Sequence, residues 1–121
     1  MKLRWVILTI ASMTLPAASE AARGSCFLGV DGHVYFDGTC NINLSKNGSF
    51  SLVASAPNRS RYFAYVEIDP GTGKADASWN GAAGESHAGN SLGTVTRKGG
   101  CWINAHAKVC AWKPGTRPAT F

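Results

Sequence analysis

The sequence has 121 residues, of which 16% are charged, and its formal net charge is +5. This length accommodates one small domain, which excludes a multidomain architecture. The positive charge favours an acidic or anionic partner, although a surface charge that only keeps the protein in solution explains it equally well.

The first 21 residues have the pattern of a secretory signal peptide. Lys2 and Arg4 precede an apolar run at residues 5–15, and Pro16 ends that run. The run is too short to span a bilayer and has the length of a signal-peptide core. We therefore expect residues 1–21 to be a signal peptide that directs export.

Small residues at Ser19 and Ala21 predict cleavage after Ala21. The mature chain, residues 22–121, then has ten Lys and Arg and six Asp and Glu, a net charge of +4. A lipoprotein modified at Cys26 is the alternative, but Arg23 stands where a lipobox needs an aliphatic residue. The single exported domain is expected in the periplasm or outside the cell, with no membrane span after cleavage.

All four cysteines lie in the predicted mature chain. An even number of cysteines in a short exported protein is typical of a disulfide framework. Of the three possible pairings, Cys26 with Cys40 and Cys101 with Cys110 are favoured, because each closes a local hairpin. The chain-entropy model gives each bond about 3 kcal/mol of stability. A zinc site at Cys101 and Cys110 is the alternative, and export makes it less favourable than a disulfide.

The first hairpin is predicted at Asp31-Gly32, a dipeptide typical of a type I′ turn. Counted through that turn, Cys26 faces Asp37. A disulfide to Cys40 therefore requires an irregularity in the second strand, and we expect Gly38 to provide it.

Gly, Pro and Asn mark most of the turns between the remaining alternating segments, with a loop expected at residues 56–60. The clearest strand is RYFAYVEI at residues 61–68, whose aromatic side chains on both faces are typical of a central strand. Strands are expected at residues 26–30, 33–37, 41–45, 50–55, 61–68, 75–80 and 92–98.

The stretch GGCWINAHAKVCAW, residues 99–112, predicts the last hairpin. With a turn at Ala105-His106, Cys101 faces Cys110 in a non-hydrogen-bonded pair, where a disulfide fits. The tail that follows is expected to be ordered only if Phe121 docks. Together these segments predict an all-β domain, a compact antiparallel small barrel or sandwich of seven to nine strands with two local disulfides.

The segment GAAGESHAGN, residues 81–90, is the longest irregular stretch and is the predicted binding loop. The candidate partner contacts are basic and polar residues. They lie in or beside this loop, the 56–60 loop and the strand expected at 92–98. Each of them also fits a solvated loop or strand residue. The candidates are Arg59, Arg61, Ser86, His87, Asn90, Arg97 and Lys98.

No catalytic residue, metal site or cofactor is predicted. Ser86-His87 is the only adjacent Ser and His pair, and sequence neighbours rarely have the geometry of a catalytic triad. His33, His87 and His106 are far apart in sequence, and His33 and His106 lie at or beside predicted turns. No G-x-S-x-G, H-E-x-x-H or P-loop signature occurs. Export also disfavours nucleic-acid binding, despite the basic charge and the aromatic residues.

Six segments together resemble a family of small basic periplasmic proteins of alphaproteobacteria, most of them uncharacterised. They cover most of the predicted mature chain and are CFLGVDGHVYFDGTC, GSFSL, RYFAYV, ASWNG, SHAGNSLGTVTRKGGCW and KVCAW. One similar protein is described as an inhibitor of peptidoglycan hydrolases. The better-known periplasmic lysozyme inhibitors carry an S-G-x-x-Y element, which this sequence lacks.

The resemblance implies a periplasmic binding protein that inhibits or regulates a peptidoglycan hydrolase, either a lysozyme-like muramidase or a lytic transglycosylase. The expected partner is the hydrolase or another cell-envelope protein, with peptidoglycan itself as a further possibility. A non-catalytic module that binds envelope glycan or an envelope protein is the second expectation.

Overall fold

The computed structural model describes residues 20–55 and 61–121. Each strand pairs antiparallel with the next, and the first pairs with the last, so the sheet closes into a barrel. This confirms the all-β class, and of the two expected architectures the barrel is the one observed. The strands are β1 (Glu20–Val30), β2 (His33–Leu44), β3 (Phe50–Ser55), β4 (Arg61–Ile68), β5 (Ala75–Trp79), β6 (Asn90–Lys98), β7 (Cys101–Ile103) and β8 (Ala107–Trp112).

Two of the sequence predictions lie outside the described residues. They are most of the predicted signal peptide, residues 1–19, and Arg59 in the 56–60 loop. Glu20 and Ala21, the last residues of the predicted signal peptide, begin β1. Among the described residues, no helix is both long enough and apolar enough to cross a membrane.

The interior of the barrel is a filled core. Alternate residues of each strand point inward, as a closed sheet requires. Five aliphatic side chains from five strands are fully buried in one cluster, so the interior holds side chains rather than a channel. They are Leu28, Leu52, Val66, Val95 and Val109.

The β1–β2 hairpin turns at Asp31-Gly32, as predicted, and both residues have positive φ. The register shifts at Tyr35, which has no partner in β1, so Cys26 faces Gly38 rather than Asp37. The predicted position of the irregularity was therefore wrong. The bulge lies at Tyr35 because its ring packs on aromatic neighbours contributed by other strands.

Both strands of this hairpin are longer than the sequence indicates. The predicted strands at 33–37 and 41–45 form one continuous strand, because the backbone passes through Gly38 without leaving the sheet. Its second half pairs with the first residues of β1, which therefore begins at Glu20 rather than Cys26.

Both predicted disulfides form, but they lie in different places. Cys26 and Cys40 are buried in the barrel core, with Cα atoms 5.8 Å apart. Cys101 and Cys110 face each other in the predicted register, with Cα atoms 4.0 Å apart. This second bond packs with Trp112 in a separate cluster. Trp102, by contrast, packs against the main core.

The tail after β8 is ordered, because Phe121 docks on the outer wall. The Phe121 ring packs edge-on against Phe27 and Trp112, at centroid distances of 5.1 and 4.8 Å. The Arg117 guanidinium lies 5.1 Å from the centroid of Trp112 and pairs with Asp37 at 2.6 Å. These contacts hold the tail against β1, β2 and β8.

The up-and-down order places alternate connections at opposite ends of the barrel. One end, here the loop end, carries the Asp31-Gly32 turn, the β5–β6 connection at residues 80–89 and the β7–β8 turn at 104–106. The other, here the mouth end, carries the turns at 45–49, 69–74 and 99–100 and the start of β1.

Candidate functional site

The predicted binding loop is anchored by one side chain, Asn80. Among the described residues, Asn80 is the only buried polar residue, at 5% exposure. Its Oδ1 accepts a hydrogen bond from the Phe63 backbone N–H at 3.1 Å. Its Nδ2 donates to the carbonyls of Arg61, Ala82 and Glu85 at 3.0, 2.9 and 3.3 Å. The Asn80 amide therefore ties Ala82 and Glu85 of the loop to β4, and its buried polar atoms are paired.

Gly81 and Asn90, at the two ends of the same loop, lie close together. Gly81 has φ of 76°, and a Cβ at this position would lie 1.9 Å from Nδ2 of Asn90. Only glycine satisfies both the left-handed backbone and this close approach. The Asn90 side chain therefore packs against the start of the loop.

Ser86 and His87 are exposed near the tip of the loop. The Ser86 Oγ lies 2.8 Å from Nδ1 of His87. A nucleophilic serine needs a base that a third group orients, and the described hydrogen bonds of His87 are limited to Ser86. The pair therefore has the geometry of a polar contact surface rather than that of a triad.

The barrel separates the predicted partner contacts into two groups. Arg61 begins β4 at the loop end and is exposed, and Ser86, His87 and Asn90 lie in or beside the loop bonded to it. Arg97 and Lys98 are at the other end of β6, about 23 and 26 Å from Asn90 by the rise of an extended strand. The structure therefore brings four of the candidates to one end and places two at the opposite end.

The three histidines, which are distant in sequence, all belong to the loop end. His106 Nδ1 lies 3.3 Å from the carboxylate of Asp31, and both side chains are exposed. The Asp31 backbone N–H also donates to the His106 carbonyl at 2.7 Å. These contacts join two turns but contribute little stability, because solvent screens an exposed pair. No three metal-ligating side chains meet within residues 20–55 and 61–121.

An aromatic cluster closes the loop end of the barrel. The bulged Tyr35 ring lies 4.5 Å from Trp79, 4.4 Å from His33 and 5.7 Å from Tyr62, measured between centroids. Trp79 is buried and the two tyrosines are half-buried. Sequence reasoning missed this cluster, because its members come from three strands, β2, β4 and β5, that are far apart in the sequence.

Comparisons with protein-family models, curated proteins and solved structures give no match for this chain. The loop end therefore has to be interpreted from its own geometry. It offers a loop fixed from within by Asn80, an exposed cation at Arg61 and a hydroxyl–imidazole pair at Ser86 and His87. These groups can donate hydrogen bonds to an acidic or polar partner without rearranging the backbone.

Proposed function

We propose that the protein inhibits or regulates a peptidoglycan hydrolase by placing its loop end against the hydrolase cleft. The observation that carries this proposal is the loop at residues 80–89, which Asn80 fixes through four hydrogen bonds. The resemblance to small basic periplasmic proteins, one of them described as such an inhibitor, supports the same conclusion.

The chemistry of the loop end suits such a cleft. Muramidases work with paired carboxyl groups that flank the scissile glycosidic bond. The guanidinium of Arg61 can pair with a carboxylate of this kind, and Ser86 and His87 can donate further hydrogen bonds. A loop that is already ordered loses little conformational entropy on binding, which favours affinity.

The two disulfides are consistent with an oxidising compartment, the periplasm or the cell exterior. Peptidoglycan and its hydrolases occur in that setting. Together with the predicted signal peptide, the disulfides support our proposal that the protein acts in the periplasm.

The aromatic cluster supports a second candidate, a module that binds envelope glycan without affecting catalysis. His33 is exposed beside the half-buried Tyr35, at a centroid distance of 4.4 Å. The face of an aromatic ring can pack against the apolar face of a sugar. This function needs the rings of the loop end rather than Arg61 and the loop tip.

The two candidates are distinguished by titrating the processed protein into muramidase and lytic transglycosylase assays, with sedimentation on insoluble peptidoglycan alongside. We expect inhibition at micromolar concentration, weakened about tenfold or more when Arg61→Glu and His87→Ala are combined. Lys98→Gln at the mouth end is the control and should inhibit as the native protein does. No inhibition at micromolar concentration, together with retention on the glycan, would refute the inhibitor proposal and favour the module.

A further inference from the structure

The mouth end of the barrel holds an open apolar cavity of about 390 Å³. The fully buried side chains of the core lie beneath it, so the cavity is a shallow cup and does not continue through the barrel. Leu44 on its edge is 51% exposed, so the apolar surface of the cup reaches solvent. The apolar side chains of the cup come mainly from β2, β3, β4 and β7 and include Ile42, Leu44, Phe50, Ile68 and Trp102.

Five cationic side chains lie at the mouth end, where the cup opens. Arg97 and Lys113 line it directly, and the other three lie in or beside the turns of the mouth end. All five are exposed, and none forms an ion pair with an acidic side chain of the described residues. The five are Lys46, Lys74, Arg97, Lys98 and Lys113.

Fewer acidic than cationic residues lie near the cup: they are Glu67 and Asp69, with Glu20 at the start of β1 in the unprocessed chain. Asp69 lies in the 69–74 turn, where its Oδ1 accepts the Gly71 backbone N–H at 2.9 Å and its Oδ2 accepts the Thr72 hydroxyl at 3.2 Å. Glu67 alternates with the inward-facing Val66 and Ile68, so it lies on the outer wall of β4. The mouth end therefore combines an apolar centre with a net positive rim.

We propose that the mouth end binds the surface of a bilayer that contains anionic phospholipids. An apolar centre matches the acyl region, and a ring of Lys and Arg matches the phosphates around it. β1 begins at this end, so the predicted signal peptide is joined to the barrel here.

Docking in this orientation directs the loop end away from the bilayer, because the two ends lie on opposite sides of the barrel. The proposed hydrolase contact and the bilayer contact then use separate surfaces and can be occupied together. The bilayer proposal goes beyond the hydrolase proposal and does not depend on it.

The test is co-sedimentation of the processed protein with vesicles of phosphatidylglycerol and phosphatidylcholine, and with vesicles of phosphatidylcholine alone. We expect binding to the anionic vesicles that weakens as ionic strength rises. Combining Lys46→Gln with Lys98→Gln should lower the partition coefficient about 10- to 30-fold. Leu44→Gln should lower it as well without loss of folded signal in circular dichroism, because Leu44 is half exposed.

The matched control combines Arg59→Gln with Arg61→Gln. It removes two positive charges, as the double lysine variant does, and Arg61 lies at the loop end. It should bind vesicles as the native protein does. Absence of binding to anionic vesicles at low ionic strength would overturn the proposal, as would an equal loss in the control. Failure on vesicles combined with capture of polyglutamate would assign the surface to an acidic protein instead. A dimer in solution that Leu44→Gln dissociates would assign it to a second copy of the chain.

Discussion

Asn80→Asp tests the structure most directly, because it changes one atom type and almost no volume. The native Nδ2 shares its two hydrogens among three backbone carbonyls, whereas Oδ1 accepts one N–H. An aspartate keeps the acceptor but turns a second oxygen towards those carbonyls. The carboxylate thus keeps one donor, the Phe63 N–H, in a site that is 5% exposed in the native protein.

The expected cost follows from the bonds that are lost. Two hydrogen bonds contribute about 1 kcal/mol each, and a buried carboxylate with a single donor adds a further desolvation cost. We therefore expect Asn80→Asp to lower the free energy of unfolding by about 3–5 kcal/mol, a large fraction of the stability of a domain this small. Urea denaturation followed by tryptophan fluorescence measures this difference.

The pH dependence of the same variant distinguishes this explanation from a general packing defect. Burial near carbonyl oxygens favours the protonated carboxyl, so its pKa in the folded variant lies above the unfolded value of about 3.9. Between these two values the folded state binds the proton and the unfolded state does not. The stability deficit relative to the native protein should therefore shrink as the pH falls towards about 4.

Asn41→Asp on β2 is the matched control for this variant. Asn41 is exposed, so the change should stay within about 0.5 kcal/mol of the native stability at every pH. A loss below about 1 kcal/mol in Asn80→Asp, or a deficit that does not change with pH, would refute the role assigned to the Asn80 amide.

Three further changes test other contacts. Arg117→Ala removes a partly exposed ion pair with Asp37 and the stacking on Trp112. We expect the free energy of unfolding to fall by about 1–2 kcal/mol and the tail to be cleaved faster by a protease. An unchanged cleavage rate would contradict the docking of the tail. Gly81→Ala should cost about 2–4 kcal/mol in urea denaturation, because of its φ and the clash with Asn90, whereas Gly84→Ala, with positive φ but open space, should cost about 1 kcal/mol. Combining Cys101→Ser with Cys110→Ser removes one disulfide and should lower the free energy of unfolding by about 3 kcal/mol. A much smaller loss would mean that this disulfide does not restrict the unfolded chain.

Local sequence signals predicted the hairpins well, because the side chains that decide them are near neighbours in the chain. The Asp31-Gly32 turn and the register that joins Cys101 to Cys110 follow from turn chemistry and strict alternation. The bulge at Tyr35 did not follow, because its cause is the contact with Trp79 on another strand. A bulge shifts every later cross-strand pair by one position. The residue opposite Cys26 in the sheet was therefore predicted wrongly, although its disulfide to Cys40 was predicted correctly.

The order in which strands close a barrel also decides which candidate residues meet. Asn90 and Lys98 are only eight positions apart, yet β6 carries them to opposite ends. His33 and His106 are 73 positions apart, yet His33 follows one connection and His106 lies within another at the same end. In an up-and-down barrel, the odd-numbered connections lie at one end and the even-numbered connections at the other. Two residues are therefore at the same end when the connections beside them are both odd-numbered or both even-numbered. In this chain the first, third, fifth and seventh connections are at the histidine-rich loop end or outside the described residues, and the others are at the lysine-rich mouth end. Arg97 and Lys98 are near the predicted binding loop in sequence, but they precede the β6–β7 connection and therefore lie at the mouth end.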